Sequence, residues 1–485
     1  MRLSTTDASF LYMESASGPM HISSINILEG ELAFEDVFKH FSDRLHLLPA
    51  YRRKLAQVPL NLAHPTWVDD PDFDLANHLI HYPLPVGTDL DAGLDAAVHI
   101  NEPMLDRTKP LWMTYIITGV PDKTLVLHAT HHCMIDGASG VELLAIIYDF
   151  DQEGDPVTPA KDSWRPEQPP TPGQLFNTAL SENLKDLAET DWGRMFSTTS
   201  DQNDLMQRAT KVMSDFITKP VLTAPFNAGV VGPKRKLAWM KQSFGEIREI
   251  RRALGGTIND VVLAVVSEAI ASYLQDNDEK TADQYMRIMC PVNVRTENQQ
   301  GALGNRVSAI FPVLPAWPMA AEQRLASVCA ETNRIKQNQE AQALTLLQET
   351  APEPWPVGLW PTQLIGSQYD PTAFAARFPM PTLPKGFRPP NIGINFICTN
   401  VPGAQVPQYL CGHLVTDQIG LLILSGNVGF SVTILSYNQT LYFGFISEPR
   451  LLPDVEKISQ SAERTFDTLL AQARERAASL QTSQA

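Results

Sequence analysis

The sequence lacks any CxxC pair. Its five cysteines, at 133, 290, 329, 398 and 411, are odd in number and widely scattered. Such a set makes neither a disulfide framework nor a zinc-knuckle spacing, and it suits a reducing cytoplasm. Positive charge is scarce: 38 Lys and Arg stand against 54 Asp and Glu, a formal net charge of −16. That balance argues against a nucleic-acid partner, whose phosphates demand a basic face. It also argues against whole-body attraction to anionic lipid, although a local basic patch could still dock. The opening MRLSTTDASFLYMES has no apolar core of the signal-peptide kind, so no leader is expected. Residues 418–447 carry no charge, but Gly426-Asn427 and Tyr437-Asn438-Gln439 interrupt them as turns. A spanning helix needs about 18 or more predominantly apolar residues without such breaks. The pieces LLILS, GFSVTILS and TLYFGFIS are therefore expected as buried strands joined by hairpins.

What is present is ordinary for a globular protein: 485 residues, 44% apolar and 19% charged, enough for two or three domains. ISSINIL (22–28), TYIITGV (114–120) and TLVLHATHH (124–132) read as strands, and residues 34–48 and 137–150 as helices. Six prolines from Pro156 to Pro172 open a crossover linker, with helices near 174–190 and 201–218. A second mixed segment holds helices near 258–274 and 455–479 and strands near 286–292, 306–314 and 392–398. Between Pro352 and Pro390 ten prolines suggest a long ordered loop or lid. Strands and helices do not alternate strictly. The expected fold class is therefore α/β with mixed, α+β-type sheets rather than a doubly wound one. The expected division is 1–150, a linker over 151–222, and 223–485.

Residues 128–139 read HATHHCMIDGAS. On an extended strand His128, Thr130 and His132 share one face, and Leu127, Ala129 and His131 the other. The adjacent histidines point apart, which disfavours a shared metal ion, and the helical HExxH spacing that would converge them is missing. No GxSxG elbow exists, and Cys133 beside the doublet need not be near it in space. The chemical role left to a histidine is general base, since its unperturbed pKa of about 6.5 lies near neutrality. The plainer alternative is a buried, hydrogen-bonded pair with Asp136-Gly137 starting a helix.

HHCMIDG resembles the signature of the chloramphenicol acetyltransferase and condensation-domain superfamily. More closely, the chain resembles the bacterial wax ester synthase/diacylglycerol acyltransferase family. The resemblance spans nearly the whole length. It is carried by DASFLYMES and GPMH (7–21), KPLW (109–112), the doublet, GTINDVVLA (256–264), PVNVR (291–295), LGN (303–305) and TNVPG (399–403). It thins over 150–220 and 350–390.

The resemblance implies two chloramphenicol-acetyltransferase-like domains joined by the crossover linker, with an active-site channel between them. It implies transfer of a long-chain acyl group from fatty acyl-CoA to a fatty alcohol, a diacylglycerol or both. His132 would be the general base, and no acyl-enzyme, metal or cofactor would be needed beyond acyl-CoA as substrate. His131 would orient the loop, Asp136 would pair with Arg295, and Gly137 would permit a tight turn beside the substrate path. Asn259 would border the site, where it could donate toward the developing oxyanion or shape the pocket. Asp260 lies in a matched substrate-binding position, yet with Thr257 it also spells a helix capping box. Residues 234–252 carry seven Lys or Arg against two Glu, a net of +5. Lys234 and Arg235 could meet CoA phosphates or lipid headgroups, or the run could be a solvated helix face. The implied location is cytoplasmic, peripheral to the inner membrane or to lipid inclusions. The alternatives are a non-catalytic lipid- or CoA-binding protein of the same fold, and a condensation-type acyltransferase using another acceptor.

Overall fold

The computed structural model describes residues 1–135, 137–160, 164–189, 200–293, 307–350, 391 and 393–482. The first half opens with α1 (Thr5–Met13), β1 (His21–Glu29) and α2 (Phe34–Arg44), then the short antiparallel pair β2 (Arg53–Ala56) and β3 (Thr66–Asp69). It continues through β4 (Leu79–Pro83), α3 (Leu90–Ile100), β5 (Trp112–Thr118), β6 (Lys123–His131) and α4 (Gly137–Ile147). Helices α5 (Pro172–Glu189) and α6 (Ser200–Thr218) lead to β7 (Lys236–Ser243), α7 (Phe244–Leu254), α8 (Ile258–Asp276) and β8 (Tyr285–Asn293). There follow β9 (Val307–Ile310), β10 (Val313–Pro315), α9 (Ala321–Gln337) and α10 (Glu340–Thr350). The chain ends with β11 (Phe396–Pro402), β12 (Tyr409–Leu410), β13 (His413–Leu421), β14 (Phe430–Tyr437), β15 (Thr440–Ser447) and α11 (Val455–Thr482).

Local sequence explains most of these elements. Val37 and Phe41 give α2 a buried stripe, with Glu35 and Asp36 at its N-terminus. The helix stops at Arg44, short of the expected residue 48, because Pro49 denies the next turn its N–H and disfavours a helical Leu48. Two single 3₁₀ turns fill the gap. Helix α8 starts at a complete capping box between Thr257 and Asp260. By length and composition it is the one described helix able to cross a membrane, but 78% of its apolar window is buried inside the protein.

Both sheets are mixed. The first has the order β12-β13-β1-β6-β5-β4; the second runs β10-β8-β11-β14-β15-β7, with β9 on β8. Strand β4 is parallel to β5, and β11 is parallel to both its neighbours, while β1/β6 and β14/β15 are antiparallel.

One expectation is corrected here. LLILS does not form a hairpin with the strand that follows. Only its first residue belongs to a strand, β13, and that strand pairs with β1, Ile25 opposite Ile419. The chain then passes to the second sheet through the turn at Ser425–Val428. The edge of β1 needs a hydrogen-bonding partner, and β13 supplies it from the far end of the sequence. Only β14 and β15 make the expected hairpin, turning at Asn438 and Gln439. Where β13 lies on the second sheet the backbones touch. A Cβ on Gly444 would collide with the Gly420 carbonyl oxygen, and one on Gly420 with Thr433.

The halves share a core. Ile25, Ile27, Leu125 and Leu127 of the first sheet cluster with Val231, Ile419 and Ile446. The two linker helices divide between them. Ala179 of α5 packs on Val58 and Ala63, and Asn183 donates to Leu62 O at 2.8 Å. Ala209 of α6 packs on Ala343 and Leu344 of α10.

Candidate active site

The doublet stands at the end of β6. His131 is the last strand residue, opposite His21 of β1, and its N–H donates to Leu111 O at 2.9 Å. Its side chain is fully buried. Nδ1 accepts the Cys133 N–H at 3.1 Å, which assigns the ring proton to Nε2. That nitrogen faces Glu14 Oε1 at 3.4 Å.

Glu14 follows α1 directly and is itself fully buried. Its Oε2 accepts from Arg107 Nε at 3.0 Å and Nη2 at 2.8 Å, and its Oε1 accepts the Met20 N–H at 2.9 Å. Burial opposes the charge on Glu14. The polar Nε2–H of His131, the Met20 N–H and the Arg107 charge together outweigh burial and hold the carboxyl at about 2.

His132 lies one residue beyond the strand. Its N–H donates to Met20 O at 2.8 Å, so the residue gripped by Glu14 in turn grips the second histidine. The His132 ring lies flat on Phe10 of α1, with centroids 3.9 Å apart and planes 3° from parallel. Arg107 Nη2 also binds Leu11 O at 2.6 Å, tying α1 to the same cluster. The two histidines thus diverge, His131 into a buried ionic cluster and half-buried His132 onto an aromatic face.

The other histidines nearby are structural. His128 bonds Thr114 Oγ1 and Tyr148 OH, each at 2.9 Å, and burial lowers its pKa to about 3. Burial likewise lowers His21 to about 4, and its Nε2 meets Asn101 O at 2.7 Å. Burial pushes the Cys133 thiol well up, so it is poorly suited to nucleophilic attack. Trp112 of KPLW is a packing residue, stacked on Tyr51 and His78, with Nε1 donating to Tyr51 O at 2.8 Å.

Helix α4, which begins at Gly137, packs against β11 of the second half. There Asn400, from TNVPG, donates Nδ2 to Asn259 Oδ1 at 2.6 Å. Two distant motif segments therefore meet at the start of α8. Asn259 is exposed in that first turn, whereas Asp260 is buried. Asp260 Oδ2 accepts from the Thr257 N–H and hydroxyl at 2.7 and 2.8 Å, and Oδ1 from the Thr332 hydroxyl at 2.8 Å. This carboxylate caps α8 and ties it to α9. Asp136 and Arg295 lie outside the described residues, as do LGN at 303–305 and the proline-rich 352–390.

The basic run 234–252 divides over β7 and α7 instead of forming one face. Lys234 Nζ meets Glu102 at 2.9 Å, Lys236 meets Glu456 and Lys241 meets Asp417, both at 2.6 Å. Arg235 is turned inward, donating to Gly232 O, Ser17 O and Leu424 O, and burial lowers its pKa to about 10. Alternation along β7 explains the dispersal, since neighbouring side chains leave on opposite faces.

Four residues with evident roles here carry no individual signal in the sequence. Phe10 and Glu14 lie within DASFLYMES and Asn400 within TNVPG, while Arg107 precedes KPLW. A glutamate ending an apolar first helix was the available clue to Glu14.

Comparison with known proteins identifies the family. Residues 3–262 match the wax ester synthase/diacylglycerol acyltransferase catalytic domain, and residues 303–470 the C-terminal domain of the same group. A Mycobacterium tuberculosis protein named a probable diacylglycerol O-acyltransferase is 26% identical, over 97% of this chain and 96% of its own. The fold resembles that of the wax ester synthase/diacylglycerol acyltransferase from Marinobacter aquaeolei VT8, with a TM-score of 0.64 at 20% identity, covering 98% of this chain and 100% of that one. It also resembles the starter condensation domain of rhizomide synthetase solved with C8-CoA, with a TM-score of 0.58 at 14% identity, covering 98% and 94%. The molecule is an acyltransferase with a mixed-sheet fold similar to that of condensation domains. The chain belongs to the wax ester synthase/diacylglycerol acyltransferase family.

Proposed function

We propose that this acyltransferase moves a long-chain acyl group from fatty acyl-CoA to a fatty alcohol, to diacylglycerol or to both, with His132 as general base. The observation that carries this reading is the contrast within the doublet. His131 is committed to Glu14 and Cys133, whereas the His132 ring rests on Phe10 and is only half-buried beside the start of α4. His132 takes the hydroxyl proton as the acceptor oxygen attacks the thioester carbon. The C–S bond breaks, and the departing thiolate recovers the proton from the imidazolium. A positioned base contributes ~10²–10⁴-fold in rate, and alignment of the two substrates can contribute ~7–11 kcal/mol more. No acyl-enzyme and no cofactor enter this scheme.

In the same reading Asp136 and Arg295 brace the loop after the doublet, and Asn259, held by Asn400, polarises the thioester carbonyl. Both substrate chains enter between the halves. The enzyme works at a membrane or lipid-inclusion surface, because either product class is insoluble in water.

The test is CoA thiol release from palmitoyl-CoA with hexadecanol or dipalmitoylglycerol, with the lipid products identified. Acceptor-dependent release of CoA and formation of ester, lost in His132→Ala, is the expected outcome. Wild-type protein that binds palmitoyl-CoA but releases no CoA with either acceptor would overturn the assignment.

A further inference from the structure

Near the C-terminal end of α4, where Arg44 meets Asp149, lies a cavity of about 810 Å³. The doublet precedes the other end of this 11-residue helix, which is about 16 Å long, and His132 does not line the cavity. Its walls come from the end of α2 and the turn after it, from Arg52, from residues 155–160 and from Trp164, with Arg44 and His46 among the α2-side residues. The volume falls within the range of small-molecule sites, about 300–1,000 Å³.

The cations lining it differ in one respect. Arg44 is bound to Asp149, and His46 Nε2 meets Thr158 O at 2.9 Å. Arg52 is only 9% exposed, yet its Nε has no hydrogen-bond partner and no carboxylate pairs with its guanidinium among the described residues. The nearby Asp69 is already taken, Oδ1 by Arg53 Nε at 3.3 Å and Oδ2 by the Glu167 N–H at 3.1 Å. Among the described residues its guanidinium packs on the Trp164 ring, 4.5 Å from the guanidinium carbon, and feels the charge of Asp69 without a direct ion pair. A buried Nε–H left unpaired is costly, and an anion that fits the guanidinium fork would offset that cost.

The rest of the wall limits what the anion can be. Asp43 and Asp155 also line the space and would repel a second negative charge. Leu45, Val157, Pro159 and Ala160 give the same wall an apolar track. We propose that this cavity is a second ligand site, which binds an amphipathic monoanion, a fatty-acid carboxylate, with its head on Arg52 and its chain along that track. The site is independent of the acyl-transfer chemistry at His132.

Trp164 reports on the site. The emission difference between wild type and Trp164→Phe isolates its fluorescence from that of the other tryptophans. Titration with stearic acid carrying a nitroxide near the carboxyl end is expected to quench it saturably. The methyl ester of the same probe should fail, and Arg52→Gln should weaken the acid at least tenfold, while acyl transfer by that variant stays at the wild-type level. Dodecanoate should displace the probe at least as well as dodecyl phosphate. Quenching by the ester equal to that by the acid overturns the proposal, and so does unchanged affinity in Arg52→Gln. Stronger displacement by the phosphate overturns the carboxylate assignment. A thermal melt checks that Arg52→Gln is folded; if it is not, the acid-against-ester comparison on wild-type protein decides alone.

Discussion

Glu14 Oε1 and His131 Nε2 face each other across 3.4 Å, both side chains fully shielded from solvent. The same carboxylate fixes Arg107 and, through the Met20 backbone, the peptide that receives His132. Glu14 thus acts on His132 through backbone, as a positioning residue. Replacing it with Gln removes the charge opposite Arg107 and His131. Breaking a buried ion pair by removing one partner typically costs about 3–5 kcal/mol. Glu14→Gln is expected to lower the melting temperature and to reduce kcat by about 10- to 100-fold, with KM for acyl-CoA nearly unchanged. Equal loss in kcat and rise in KM would instead mark a general disturbance of the pocket.

Acid is expected to weaken this fold well before its carboxylates titrate. Burial holds His21 at about 4 and His128 at about 3, against about 6.5 when unfolded. Between pH 6.5 and 4 the unfolded chain binds protons at both positions that the folded chain refuses, so stability falls as pH falls. The slope approaches ~1.4 kcal/mol per pH unit for each histidine. Glu14 adds to the loss lower down, because its stabilisation is complete above about pH 4.5 and disappears as pH falls toward about 2. Urea melts at pH 7, 6 and 5 measure the effect, and a His21→Gln/His128→Gln double variant should flatten the profile.

Asn259 and Asn400 should behave as one unit. A single neutral hydrogen bond is worth about 0.5–1.5 kcal/mol, or roughly 2- to 12-fold in rate. Asn259→Ala and Asn400→Ala are each expected to lower kcat/KM within that range, and the double variant no further than the worse single one. Fully additive losses in the double-mutant cycle would mean that the pair does not act through its mutual bond.

Gly444→Ala tests the contact between sheets. The new methyl group has nowhere to go, because the Gly420 carbonyl occupies its position. Overpacking of this kind costs typically 1–3 kcal/mol. A lowered denaturant midpoint with an unchanged slope is the expected result, whereas Gly173→Ala, in open space and without a positive φ, should lose far less.

What the sequence made readable was local. The capping box at Thr257 and Asp260 lies within four residues, and so the start of α8 was plain and Asp260 carried its structural explanation with it. The opposed faces of His131 and His132 followed from strand alternation alone. The partners that give those faces meaning were not readable, because Arg107 reaches Glu14 across 93 positions and Asn400 reaches Asn259 across 141. The basic run 234–252 stayed ambiguous for the same reason. Its net charge was visible, but Asp417 and Glu456, which neutralise Lys241 and Lys236, come from β13 and α11. Of the late uncharged stretch, GFSVTILS and TLYFGFIS were correctly expected as strands and LLILS was not; β-propensity does not name a partner, and β13 chose β1.

That choice sets a clock on the ribosome. His413 Nδ1 meets Glu29 O at 2.7 Å, 384 positions further along the chain. At ~5–20 residues per second, β1 must wait on the order of 20–80 seconds after its own synthesis before its last neighbour emerges. Throughout that interval the nascent first half presents an open strand edge, the surface on which chains pair wrongly with one another. Growth temperature, codon usage downstream of β6 and chaperone supply should therefore govern how much of this enzyme reaches its active form.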